Sequence, residues 1–351
     1  MSDLQLSLLV IGAVVVGAVY LYNGLQERSY RRRMQQAFGA GHDDVLLKAG
    51  VESALTDGRL EPQLVSQEPP GPRPDTDSAN GLDVVLDYVA EINADGPIAD
   101  AVISELTSRI ASCGKPVHIS GLDVQSGNWE DVVRGRGGRF RGLRVSLQLV
   151  NRTGAVNSAQ LATFCDAVKS CAEKIPAPAT CPDTHAALKH ARELDAFCAD
   201  ADVAVGFNVI APEGATFQGT RIRAAAEAAG FKLEPDGVFH YRNEQRQTLF
   251  TLDNHEPAPF LPESIKGLTT RGVTLLLDVP RVANGAGILD RMLEVAGTVA
   301  RSLGGRLVDD NRAPLTEPGI ARIKEQVRSI HAAMELHGIP AGGARALQLF
   351  S

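Results

Sequence analysis

The chain has 351 residues, of which 44% are hydrophobic and 22% charged, with a formal net charge of -7. Such a length exceeds one typical domain, and the mild acidic excess argues against the basic surfaces that nucleic-acid partners require. Five cysteines (Cys113, Cys165, Cys171, Cys181 and Cys198) form no close CxxC pair, so neither a disulfide framework nor a zinc site is expected and the thiols read as reduced.

The first element in chain order is "LSLLVIGAVVVGAVYLY", residues 6–22, which carries no charge and no proline. With flanking Leu4 and Leu25 it approaches the roughly 20 apolar residues that span a bilayer as a helix. Only Met-Ser-Asp-Leu-Gln precedes it, whereas Arg28, Arg31, Arg32 and Arg33 follow. This order is the reverse of a secretory signal peptide. Since Lys and Arg stay preferentially on the cytoplasmic side, residues 1–27 are expected to form a single uncleaved transmembrane helix through the lipid bilayer, leaving the bulk of the chain cytoplasmic. Residues 28–80 read as a basic flank and flexible tether: positions 41–80 hold three basic against eight acidic residues, and Pro69, Pro70, Pro72 and Pro74 deny regular helix. Inside it, "DDVLLKAGVESAL" has the composition of a transient helix or docking motif.

Residues 81–200 form the next unit. "VVLDYVAEI" reads as a strand, "IADAVISELTSRIASCG" as a helix stopped by Gly114, and "KPVHISGLD" as a second strand. The loop "RGRGGRFRG" (134–142) has phosphate-loop composition but precedes a strand and lacks a GK[ST] ending, so a hairpin loop is the better reading. "GLRVSLQLVNRTGAVNSAQLATFCDAVKSCAEKI" then gives strand, turn and helix, with Leu143, Val145, Leu147 and Leu149 alternating, and a helix at about 184–199 runs almost directly into Val203.

A second unit, 201–340, repeats much of this grammar before a tail at 341–351. "VAVGFNVIAP" alternates Val203, Val205, Phe207 and Val209 as a half-buried strand. "GTRIRAAAEAAGF" is a short helix capped by Gly230, "GVFHYR" and "QTLFTLD" make a hairpin, and a loop with Pro257, Pro259 and Pro262 leads to "GLTTRGVTLLLDVPR". There Val273, Leu275, Leu277 and Val279 share one face while Leu276 points to the other. "ILDRMLEVAGTVARSLGG" is an amphipathic helix, "RLVDD" a last short strand, and Thr316 caps a final helix. The strand–turn–helix at 272–303 matches that at 143–175 in pattern, which predicts a duplicated α+β unit whose two copies pack as a rigid pair.

No catalytic constellation emerges. "CPDTH" (181–185) has no supporting cluster, Asp309 and Asp310 form an acidic pair without a partner set, and the eight histidines are scattered. Neither enzyme chemistry, a metal nor a cofactor is expected. Phe207, Phe239, Tyr241 and Phe250 are candidate base-stacking platforms of an RNA-binding sheet; Phe207 and Phe250 share the core parity, which leaves a sheet that binds a protein partner.

"FNVIAPEG", "LFTLDN", "TTRGVTLLLDVP" and "LGGRLVDDNR" followed by Thr316 together resemble the ZipA family of bacterial cell-division membrane anchors, over about residues 203–336. The resemblance implies a C-terminal α+β domain of split β-α-β type: a six-stranded antiparallel sheet, helices on one face, and on the other a shallow apolar groove for the C-terminal peptide of FtsZ. It also implies the inner membrane as location and no cofactor. On the face opposite the core, the parity places Ala204, Gly206, Asp253, His255, Thr274 and Leu276, with Val238 beside them, as partner-binding residues. Family positions equivalent to Gly206, Asp253 and His255 are commonly more apolar, the tether is shorter than the family's usual one, and the 81–200 unit has no counterpart in its best-known members. An adaptor of the same fold with a different peptide partner is the alternative.

Overall fold

The computed structural model describes residues 82–132, 139–175 and 177–351. The expected membrane span, basic flank and tether lie outside the described residues, as does most of the Gly/Arg loop. Among the described residues, no helix is long and apolar enough to cross a membrane. They divide into two compact units, 82–193 and 194–351, a boundary several residues earlier than the composition suggested.

In the first unit, strand β1 (Asp87–Asn93) is followed by helix α1 (Asp100–Ile110), β2 (Val117–Asp123), β3 (Trp129–Asp131) and β4 (Phe140–Gln148). A two-residue ribbon, β5 (Val150–Asn151) with β6 (Gly154–Ala155), turns the chain into α2 (Ser158–Lys174). Short β7 (Ala179–Thr180) then leads to α3 (Thr184–Ala201). The sheet order is β3-β2-β4-β1-β7, antiparallel throughout. The first strand starts later than expected because Asp83 bends the chain, accepting the Val85 N–H at 2.9 Å. A full capping box starts α2: Asn157 Oδ1 accepts from the Gln160 N–H, and Gln160 Oε1 from the Asn157 N–H. Gly121 is obligatory, since a Cβ there would meet the Phe140 ring at 2.4 Å. All five cysteines are unpaired thiols, and all but Cys181 are buried.

In the second unit, β8 (Ala204–Ile210) precedes a two-residue strand β9 (Phe217–Gln218) and α4 (Gly219–Ala228). Next come β10 (Phe231–Leu233), β11 (Phe239–Arg242), β12 (Thr248–Asn254), β13 (Thr269–Thr270) and β14 (Gly272–Asp278). Helix α5 (Gly285–Leu303), β15 (Arg306–Val308), α6 (Glu317–Leu336) and α7 (Ala344–Leu349) complete it. The six-stranded antiparallel sheet runs β10-β11-β12-β14-β8-β15. Val205, Phe207, Val209, Phe250, Leu252, Val273, Leu275 and Leu277 form one apolar core with Ile222 of α4, Leu289, Met292 and Val299 of α5, and Val327 of α6. The helices therefore cover a single face, and the opposite face of the sheet carries the alternate residues.

Two expectations need correction here. Strand β10 escaped the sequence reading because three residues hold too little period to register. The segment 341–351 is not a loose tail: α7 is anchored by the Gly342 N–H to the Pro280 carbonyl at 3.0 Å, and Leu349 and Phe350 are each 1% exposed.

Candidate functional site

The register fixes which side chains share the open face, because Cα partners in an antiparallel pair point the same way. Leu276 stands opposite Gly206 on β8 and Thr251 on β12; Thr274 stands opposite Asn208 and Asp253; Asp278 stands opposite Ala204. Val238 precedes β11 and, by alternation from core-facing Phe239, lies on the same side. His255 follows β12, its N–H donating to the Gly272 carbonyl at 3.1 Å. All seven positions singled out from sequence therefore border one face.

That face has two chemistries. Half-buried Leu276 sits between side-chain-free Gly206 and Thr251, with Ala204 one pair further along, so on the β8 side only small residues flank it. Beside it runs a polar row. The Thr274 hydroxyl donates to Asn208 Oδ1 at 2.7 Å, which leaves its oxygen to accept from His255 Nδ1 at 3.3 Å. Asn208 Nδ2 donates to Asp310 Oδ1 at 3.1 Å. Asp310 Oδ2 is buried without a hydrogen-bond partner among the described residues. Burial pushes the Asp310 carboxyl above its ordinary range, opposed by the Asn208 hydrogen bond. Burial also raises Asp253, against the pull of the Asn254 N–H, while burial and then the Arg312 charge lower His255.

Asn208, His240, Thr251 and Asp310 were missed. Asn208 shares the parity of Ala204 and Gly206, so strict alternation was the available signal. Asp310 comes from a loop beyond β15, and no period reaches it. The acidic pair at 309–310 serves the fold: Asp309 Oδ1 accepts the Ala313 N–H at 2.7 Å, and Asp310 holds Asn208. In the "CPDTH" stretch, Asp183 caps α3 by accepting the His185 and Ala186 N–H groups. Phe207, Phe239 and Phe250 are buried in the core, and Tyr241 stacks on Phe250 at 4.5 Å between centroids. These rings thus face away from any partner of the open face.

Fold and face together define an α+β domain that backs an antiparallel sheet with helices on one side and leaves the alternate residues of its strands on the other. Residues 203–326 match the family described as "ZipA, C-terminal FtsZ-binding domain". It is 32% identical to a protein named "Cell division protein ZipA" from Marinobacter nauticus over 126 residues, covering 34% of this chain and 37% of that one. It is 26% identical to the like-named protein of Ectopseudomonas mendocina over 143 residues (40% and 52%). With that of Pasteurella multocida the identity is 25% over 123 residues (34% and 38%). The chain thus spans between about a third and a half of the length of these relatives.

Proposed function

We propose that this chain is a bacterial cell-division protein that binds the C-terminal peptide of FtsZ on the open sheet face and tethers FtsZ filaments to the cytoplasmic membrane. The observation that carries the reading is the coincidence of two findings on one segment. Residues 203–326 match an FtsZ-binding domain, and within them Leu276 pairs with Gly206, beside Ala204, on the sheet face away from the helices. An amphipathic or extended peptide finds there a seat for one large apolar side chain, with hydrogen-bonding groups alongside. The tethering half of the reading rests on the uncharged run at 6–22 and the arginines after it.

The first unit is proposed to be a degenerate copy of the second. In support, each unit sets its first long strand between a long antiparallel partner and a short edge strand: β4-β1-β7 in one, β14-β8-β15 in the other. The copies part at the far side of the sheet. There α1 leads directly to β2 beside β4, whereas α4 leads to the outer strand β10 and the chain returns through β11 and β12.

Titration of the full chain in detergent micelles with the C-terminal peptide of FtsZ from the same bacterium tests the main reading. Saturable binding is expected, and its absence counts decisively against it. A second reading, the same adaptor with a different peptide partner, is favoured by the polar row through Asp253, Thr274 and Asn208; it predicts that the FtsZ peptide fails while another peptide saturates the face.

A further inference from the structure

We propose that the peptide taken by this face carries a lysine or arginine that pairs with Asp253, so that a charge contact beside the Leu276 seat selects the partner. The inference rests on the reading of the open face as a peptide site, and it adds what that peptide must contain.

The neighbouring carboxylates each have at least one partner. Glu234 pairs with Arg242 at 2.7 Å, Asp236 with His240 Nε2 at 2.8 Å, and Asp310 with Asn208 at 3.1 Å. Glu256 accepts the Arg271 N–H at 3.2 Å. Asp253, like Asp310, has only a neutral partner, Oδ1 accepting the adjacent Asn254 N–H at 2.7 Å, but unlike Asp310 it lies on a sheet strand diagonal to Leu276, and among the described residues its carboxylate has no ion-pair partner. The donors around it are spent. His240, at the face position opposite Thr251, uses Nε2 on Asp236 and Nδ1 on Thr248. Thr274, directly across from Asp253, gives its hydroxyl proton to Asn208.

A half-buried carboxylate with unmet acceptor capacity is costly in the free protein, and a cationic partner removes that cost by a charge-assisted hydrogen bond. The Asp236 charge adds to the negative potential at Asp253, so the complementary group is a cation rather than a neutral donor. The spacing suits one short peptide. Leu276 and Asp253 are diagonal neighbours on paired strands, about 7–8 Å apart. Residues i and i+2 of an extended peptide, or i and i+4 of a helical one, bridge that span with an apolar side chain on Leu276 and a long cation on Asp253.

The test uses the full chain in micelles and two probes: the FtsZ C-terminal peptide, and the same peptide with every Lys and Arg replaced by Gln. Asp253→Asn and the charge-stripped peptide are each expected to lose about five- to ten-fold in affinity. Combined, they lose no more than either alone, the mark of a direct pair. Circular dichroism verifies that the variant folds. Wild-type affinity or tighter binding by Asp253→Asn overturns the inference, as do losses that simply multiply. A wild-type chain that binds neither probe removes the FtsZ reading and this inference with it, whereas an unaffected Asp253→Asn removes the inference alone.

Discussion

Leu276 and Leu275 are sequence neighbours with opposite tasks, and substitutions separate them. Leu275 is fully buried against the helices, so Leu275→Ala is expected to destabilise the unit by about 2–5 kcal/mol. Leu276 is half-buried on the open face. Leu276→Asp is expected to cost no more than about 1 kcal/mol of stability while abolishing saturable peptide binding. Urea denaturation beside a binding titration reads both, and an unfolded Leu276→Asp would place this leucine in a core. Asp253 makes a second residue-scale case. Its folded-state pKa is raised, chiefly by burial, so the protonated form suits the fold. The stability this group contributes is present below the unfolded-state pKa and lost as pH rises through the folded value. Asp253→Asn is therefore expected to raise the urea midpoint at neutral pH, with unchanged slope, and the advantage over wild type should shrink as pH falls through the raised folded-state pKa and be gone below the ordinary aspartate range. A midpoint lowered at neutral pH would show that the carboxylate supports the fold.

At the scale of elements, what was legible depended on length and local chemistry. Strands β8, β12 and β14 have seven residues each, enough for alternation to separate core from open face. Helix α6 announced its start: Thr316 Oγ1 accepts the Gly319 N–H at 3.3 Å. Two or three residues carry no period and owe their strand geometry to the long neighbours they pair with, so β3, β7 and β10 were not legible, and three-residue β15 was read only from Leu307 and Val308 following the Gly304–Gly305 helix stop. The polar row was legible only in part for the same reason, since Thr274 lies on a strand but Asp310 arrives from a loop. Helix α5 ends at Gly304, which has φ 71°, in the left-handed region that favours glycine. A Cβ there would meet nothing within 4 Å, so Gly304→Ala isolates the backbone cost. A loss of about 1–2 kcal/mol is expected by urea denaturation, and a neutral result would mean that the helix end relaxes to another conformation.

Across the whole molecule, α3 is the element in which the two units divide, at Leu194. Each half is tied to its own unit: His190 Nε2 bonds the Val85 carbonyl at 2.8 Å, and Phe197 stacks on His337 at 4.2 Å between centroids. Ala191, Leu194, Cys198 and Ala201, spaced by three and four along one side of this helix, are all buried. An isolated helix of about ten residues is marginal in water, so when one unit unfolds, the half-helix left behind loses its continuation and frays. Stability lost in the second unit should consequently reach the first through α3. Trp129 makes this measurable: it is the only tryptophan in the chain, and it lies in the first unit with the Arg144 guanidinium 4.3 Å above its ring. In urea, Trp129 fluorescence of Leu275→Ala is expected to change at a lower midpoint than in wild type, although the substitution is in the other unit. The shift should be smaller than the one followed by loss of peptide binding, because the substitution removes packing from the core of the second unit. An unmoved Trp129 transition would mean that the units unfold independently and that α3 divides at Leu194 without cost.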